Sequence, residues 1–485
     1  MRGAASACNA IIKQIFIVYF LLLICGKITI FSENNSNKRK FFNTFAKIFA
    51  DIRSMNKDIV SEVIEKMGLG DFSKATIRDL QSLSRSIEEK TGERVIHLEM
   101  GVPGLQPSEI ALKAEQEALA NGCATQYPPN GGIPRIKKAS SEFVKAFIGV
   151  EIDPLCCIPT TGSMQGTFAS FLAIKHAIGS EKDTVLLIQP GFPVQTTQCD
   201  VIGLKHVGLD IHGFRGKALI DKLEEMLQGG NINSIVYSNP NNPSWVCFTE
   251  EELEGIGRLA TKYDVIILED LAYFAMDFRR ELSHPYQPPY QATVAKYTEN
   301  YVLWVSGSKA FSYAGQRIGV TCISNTLYHR VYKDLQDNFG VGEFGDFLCN
   351  RLMYTLSSGT THSVQHAMAA LMEAACDGSY NFLDDVKEYG RRAKFMKDVL
   401  LANGFYLVYD NDMGAPLADG FYFTVQYPGM NDLELTRELM YYGIAVFPLD
   451  TMGSTQQGVR ICTSFFSKNL EPLFKERIEK FKKEH

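Results

Sequence analysis

Between residues 156 and 323 the chain alternates short apolar runs with longer amphipathic stretches. The runs fall at 156–159, 185–189, 205–209, 232–237, 265–268, 301–305 and 318–323. Most are nearly continuous in Val, Ile, Leu, Tyr and Cys, the pattern of strands buried on both faces. The stretches between them, such as 164–178, 216–227 and 250–263, repeat apolar residues every three or four positions and predict helices. Strands alternating with helices specify an α/β fold with a mostly parallel seven-stranded sheet covered by helices. Ligands of such sheets bind at the carboxyl ends of the strands.

The flanks read differently. Ile59, Val60, Val63, Ile64 and Met67 predict a helix stopped by Gly68 and Gly70, and Ile77, Leu80, Leu83 and Ile87 a second one ending at Gly92. A strand over 95–99 then feeds the loop 100–104, and Pro107 and Ser108 open another helix. Beyond 338, helices at 347–356, 363–375 and 382–403 precede short strands at 405–408, 421–425 and 445–447 and a last helix at 470–483. That order predicts a smaller α+β domain. The expected division is 1–54 as an N-terminal extension, 55–110 as an arm with part of the small domain, 111–338 as the large domain and 339–485 as the small domain. Within 1–54 the apolar run 15–25 is shorter than the roughly 20 residues of a membrane span. It fits the h-region of a signal peptide, without a clear small-x-small cleavage site after it, or an upstream extension before a body that starts at Met55.

Composition narrows the class. The 485 residues exceed one small core, and 45% hydrophobic with 21% charged residues describes an ordinary globular protein. A net charge of −6 gives no footprint for nucleic acid. Eleven cysteines form no CxxC pair, and Cys156 and Cys157 are adjacent, so the chain reads as reduced and intracellular. A cytoplasmic location is expected, with a targeting signal in 1–54 left open.

The chemistry gathers behind the strands. Ser306-Gly307-Ser308-Lys309 ends one apolar run. A lysine desolvated there has a lowered pKa and becomes a nucleophile toward a carbonyl, a Schiff-base lysine. Thr160-Thr161-Gly162-Ser163-Met164 joins a strand to a helix; either its N–H groups and hydroxyls bind phosphate, or Ser163 caps the helix. Ser238-Asn239-Pro240-Asn241-Asn242-Pro243 is either a plain turn or places Asn242 as a donor to a pocket. Asp270 stands at another strand end, where an acid serves as general base, as metal ligand, or as the partner of a protonated heterocyclic nitrogen. No second ligand cluster lies near it, so no metal is expected. Three patterns fail their context. Gly340-x-Gly342-x-x-Gly345 follows a helical stretch rather than a strand. His362 and His366 lack the intervening glutamate of a zinc helix, and Asp410-Asn411-Asp412-Met413-Gly414 lacks the later acid of a calcium loop.

Taken in order, Gly162-Ser163, Asn242-Pro243, Asp270-x-Ala272-Tyr273, Ser306-x-Ser308-Lys309, Gly315-x-Arg317-x-Gly319 and Val459-Arg460-Ile461-Cys462-Thr463-Ser464 resemble fold-type I pyridoxal-phosphate (PLP) enzymes. The likeness is to class I and II aminotransferases similar to aspartate aminotransferase, and it covers 95–483. The resemblance implies that Lys309 forms the Schiff base and shuttles protons, while Asp270 pairs with the pyridine nitrogen. It implies that Asn242 and Tyr273 bond the phenolic oxygen. Gly162, Ser163, Met164, Ser306 and Arg317, with Ser308, would hold the phosphate, and Phe192 would stack on the ring. Arg460 would clamp the substrate α-carboxylate, a bidentate task suited to guanidinium, and Gly101 would line the substrate site. Tyr127 would reach a neighbouring subunit's phosphate, which makes the enzyme a homodimer with shared active sites. The implied reaction moves an amino group from an α-amino acid to a 2-oxo acid, ping-pong, through pyridoxamine phosphate. The same pocket suits a carbon–sulfur β-lyase or an amino-acid decarboxylase. A non-catalytic PLP-binding regulator is the reading from another class, although 1–54 shows no basic helix-turn-helix pattern. Two departures bear on substrate: Trp245 stands where the family has glycine, and Phe192 lacks the hydroxyl or indole N–H of its relatives. No second arginine for a dicarboxylate is evident, and Arg279 and Arg280 read as surface salt-bridge formers.

Overall fold

The computed structural model describes residues 55–178 and 182–485, without the Lys74 side chain, so the expectations for 1–54 lie outside the described residues. After a short strand β1 (Ile96–His97) the chain lays down β2 (Cys157–Thr160), β3 (Thr184–Gln189), β4 (Lys205–Asp210), β5 (Ile232–Ser238), β6 (Ile266–Leu271), β7 (Tyr301–Ser306) and β8 (Gly319–Ile323). These seven form one sheet in the order β2-β8-β7-β6-β5-β3-β4. β8 runs antiparallel to both β2 and β7, and the other contacts are parallel. Every residue of β2, β5, β6, β7 and β8 is buried, as their continuous apolar composition requires, whereas the edge strand β4 is largely exposed. All seven apolar runs are strands, displaced by at most three residues at one end.

A second sheet follows from β9 (Tyr406–Leu407), β10 (Tyr422–Gln426), β11 (Ile444–Ala445), β12 (Phe447–Pro448) and β13 (Val459–Cys462). Its four antiparallel strands take the order β12-β13-β10-β9, while β11 pairs with β1 in parallel. The expected strand 445–447 is therefore two strands serving two sheets. Two further expectations change. The helix over 347–356 is a π-helix, Phe347–Met353, followed by one α turn, and the helix over 382–403 breaks at Lys387 into Phe382–Val386 and Glu388–Ala402. The helix Ile77–Thr91 is fixed at its start by a Thr76–Asp79 capping box and at its end by Gly92 in the left-handed region. Among the described residues no helix is long and apolar enough to cross a membrane.

Candidate active site

The carboxyl ends of β2, β3, β5, β6 and β7 and the amino end of the reversed β8 meet at one edge of the large sheet. Thr160 at the end of β2 and Ser306 at the end of β7 both pair with Gly319 at the start of β8. The reversal of β8 is what carries Arg317, two residues upstream, to the same edge as Ser306. Asp270 lies in register between Ser238 of β5 and Trp304 of β7. At this edge a cavity of about 430 Å³ is lined by Gly101, Ser163, Met164, Phe192, Asn242, Asp270, Tyr273, Ser306, Ser308, Lys309, Arg317 and Arg460. Twelve candidate residues spread over 360 positions of sequence are thus brought to one cavity.

Charge and burial set their chemistry. Burial pushes the Lys309 amine down to about 8, helped by Arg460 and Arg317 and opposed by Asp270. Its Nζ donates to the Gly101 carbonyl and lies 5.4 Å from the Phe421 ring centroid. Burial pushes the Asp270 carboxyl up to about 6, against the Ala272 N–H that donates to Oδ1 at 3.0 Å and against the charge on Lys309. Ser308 N–H donates to Ser306 Oγ at 3.1 Å, which holds the turn before the lysine.

The phosphate-like corner is built by the helix Gly162–Ala177. Its N-cap is Thr161, which makes no side-chain cap bond, so the alternative in which Ser163 caps the helix is overturned: Ser163 lies inside the first turn and its hydroxyl is buried without a partner. Gly162 enters the helix at φ +67°, and a Cβ there would stand 2.6 Å from Arg317 Nη2. Only glycine lets that guanidinium approach the helix start.

The small sheet closes the other side. Tyr422 faces Cys462 and Thr424 faces Arg460 across β10 and β13, so these four side chains share a face. Arg460 is 1% exposed. Its Nη1 donates to Asn242 Oδ1 at 3.3 Å and its Nη2 to the Glu99 carbonyl at 2.5 Å, while Nε is buried without a partner. The guanidinium stacks 4.6 Å from the Tyr422 ring. Tyr273 O–H donates to the Tyr422 hydroxyl at 3.0 Å, and burial holds both phenols well above their ordinary range. Tyr422 also lines the cavity, and a Cβ on Gly101 would stand 1.8 Å from its hydroxyl. The sequence held no signal for Tyr422, because its role depends on pairing with Cys462, 40 residues further on.

Other expectations resolve as follows. Gly162 sits behind Ser163 and does not line the cavity. Tyr127 is 88% exposed and lies apart, on a surface depression with Cys123 and His362. Trp245 does not occupy the cavity: it is fully buried at φ +63°, edge-on to Tyr273 with centroids 5.3 Å apart, in room left by Gly420. Arg279 is exposed and pairs with Asp277 and Asp412, away from the site, which is the surface salt-bridge role expected of it. The stretch around Asp412 is an ion-pair node instead of a calcium loop, since Asp412 also accepts from Arg215 at 3.1 Å. His362 and His366 stack at 5.6 Å, and no metal-holding group of His, Cys, Asp or Glu occurs among the described residues.

This fold is that of solved aminotransferases. A Thermus thermophilus aspartate aminotransferase double mutant superposes with a TM-score of 0.67 at 20% identity, covering 84% of this chain and 96% of that one. An alanine aminotransferase from Pyrococcus furiosus gives 0.67 at 20% identity, covering 87% and 99%. In sequence, the aspartate aminotransferase of Pyrococcus horikoshii is 27% identical over 254 residues, 51% of this chain and 59% of the relative. The matched stretch thus spans little more than half of that enzyme. The LL-diaminopimelate aminotransferase of Natranaerobius thermophilus is 25% identical over 377 residues, 76% of this chain and 87% of the relative. The profile of the class I and II aminotransferases matches residues 93–475, and the chain belongs to that family. Aminotransferases of this family use pyridoxal phosphate.

The residues present fit that cofactor. A phosphate needs donors, and the corner offers an orphaned Ser163 hydroxyl, a helix start and the Arg317 guanidinium packed against Gly162. A ring nitrogen that must keep its proton needs an acid, and Asp270 is buried on the same wall. An aldehyde needs a neutral amine, and the lowering of Lys309 from 10.5 to about 8 gives it a far larger neutral share than an ordinary lysine has.

Proposed function

We propose that this protein is a pyridoxal-phosphate-dependent aminotransferase that moves an amino group from an α-amino acid to a 2-oxo acid by a ping-pong route. The observation that carries the reading is one buried amine, Lys309, sharing a cavity with the buried acid Asp270 and the half-satisfied guanidinium of Arg460. When bound, the cofactor supplies a sink for the electron pair left on the substrate α-carbon. Lys309 Nζ anchors the cofactor, then takes the α-proton and returns it. The Asp270 carboxylate holds the proton on the ring nitrogen. Asn242 and the Tyr273 hydroxyl orient the phenolic oxygen, and Phe192 stacks on the ring. Ser163, Met164, Ser306, Ser308 and Arg317, with the turn at Gly162, hold the phosphate. Arg460 grips the α-carboxylate through its Nε, which has no competing partner within the protein. Gly101 keeps the cavity wall thin where Tyr422 passes.

We further propose that Tyr127 works across a subunit boundary in a homodimer; its large exposure on a single chain supports this. Sedimentation together with loss of cofactor affinity in Tyr127→Phe tests both parts. A cytoplasmic location is proposed as well, supported by the free thiols of all nine cysteines in the described residues. Lys309→Ala is expected to lose the visible absorbance shift that accompanies cofactor capture, and all amino transfer. An unaltered spectrum in that variant would sink the assignment. Quenching a single turnover and finding the aminated cofactor separates transfer from elimination or decarboxylation.

A further inference from the structure

The cavity wall that the cofactor roles leave over is mostly apolar: Ile77, Met100 and Val102 from the segment that precedes the large sheet, then Ala272, Ala314 and Gly315, with two hydroxyls, those of Thr167 and Tyr422. Val102 is 37% exposed, and Ile77 and Met100 are half-buried, so three apolar side chains stand at the mouth with part of their surface uncovered. The cations of the cavity are Lys309, Arg317 and Arg460, and each has a task in the reading above; among the described residues no fourth lines it. Arg78, next to Ile77, is exposed and does not line it. The helix start at Ile77, otherwise a place for an anion, is already taken by the Asp79 carboxylate, which accepts from Thr76 N–H at 2.9 Å and from Thr76 Oγ1 at 2.7 Å. A second carboxylate on the substrate would meet an apolar rim, with no cation of this chain's described residues left to replace its water.

We propose that this cavity takes monocarboxylic amino and 2-oxo acids with neutral, apolar side chains, and that Ile77 and Val102 are the specificity-determining residues. The proposal rests on the aminotransferase reading and names its substrate class. Both half-reactions use one cavity, so the constraint falls on donor and acceptor alike. The donor exchanges its amino group and α-hydrogen for a carbonyl oxygen, the acceptor does the reverse, and no outside oxidant or reductant enters.

The test uses the full-length, cofactor-loaded enzyme. Discharge of the cofactor by L-leucine, L-methionine and L-phenylalanine is compared with L-aspartate and L-glutamate, and pyruvate and 4-methyl-2-oxopentanoate are compared with 2-oxoglutarate and oxaloacetate. The monocarboxylic compounds are expected to lead in kcat/KM by roughly tenfold or more, the scale on which an apolar pocket discriminates. Calorimetric titration with two unreactive acids, 4-methylpentanoate and glutarate, gives a readout free of turnover and is expected to favour the former. Ile77→Ala and Val102→Ala, checked for folding by circular dichroism, are each expected to lower kcat/KM for leucine by roughly tenfold while alanine changes by less than about twofold. Dicarboxylates reacting as fast as leucine or faster would overturn the proposal, and so would unchanged discrimination in both variants. A dicarboxylate preference lost in Arg78→Ala would overturn it too and assign the distal carboxylate to that arginine. If no donor discharges the cofactor, the aminotransferase reading fails instead, and the two unreactive acids still decide what the cavity prefers.

Discussion

Lys309 is the residue whose chemistry depends most on its surroundings. Its folded pKa of about 8 lies below the ordinary 10.5 because burial disfavours the cation. The rate at which the cofactor-free protein captures pyridoxal phosphate should therefore rise with pH through a midpoint near 8 and then level off. A midpoint near 10.5, followed by stopped-flow absorbance, would mean the amine is solvated. The sign for stability follows from the same shift. Between about 8 and 10.5 the unfolded lysine still binds a proton that the folded one has lost, so this group makes stability rise with pH across that window. Lysine and aspartate at strand ends could be read from the sequence because each follows an apolar run. Tyr422 could not, since nothing local marks a tyrosine whose hydroxyl receives that of Tyr273. Tyr422→Phe removes a hydrogen bond of about 1 kcal/mol and should lower kcat/KM roughly fivefold, with little change in thermal midpoint. Unchanged kinetics would show that Tyr273 needs no such partner.

At the scale of elements, the strongest local dependence is that of the helix Gly162–Ala177 on its first residue. Gly162→Ala would force a side chain into the left-handed region and against Arg317, costing about 1–2 kcal/mol. It would also displace the guanidinium, so cofactor affinity should fall more steeply than fold stability. Equal loss of both, in equilibrium dialysis and chemical denaturation, would argue that the corner holds no phosphate. The strands of the large sheet were legible because burial on both faces writes itself as continuous apolar runs. β13 was visible only as a motif: its four residues include Arg460, and a buried arginine breaks the hydrophobic pattern that marks a strand. The break at Lys387 carries no proline or glycine, so no local breaker announces it.

Over the whole described chain, a buried node joins parts of the fold far apart in sequence. Arg215 donates to Glu252 at 2.8 Å and to Asp412 at 3.1 Å, and Asp412 also receives Arg279 Nη1 at 2.5 Å and Cys247 N–H at 3.2 Å. The connection between β9 and β10 is thereby fastened to the helix Glu250–Tyr263 and to the segment after β6. Asp412→Ala would leave two arginines short of a carboxylate and is expected to destabilise the protein by about 3 kcal/mol, read by denaturant unfolding. A change under about 0.5 kcal/mol would mean that Glu252 and Asp277 suffice to neutralise both arginines.

The backbone carbonyls of Glu99 and Gly101 hold, between them, the two cations that matter most, Arg460 and Lys309. That loop behaves as a stand-in, keeping a guanidinium and an amine aimed and dry until reactants claim them. Lys309 leaves the Gly101 carbonyl when its amine is claimed, whereas Arg460, gripping through Nε, keeps Glu99, so filling the cavity changes the hydrogen bonding at Gly101, in a stretch that also passes Tyr422 and Ser464. Occupancy would then be recorded in the main chain itself, where protease cleavage between residues 99 and 104 could read it without any chromophore.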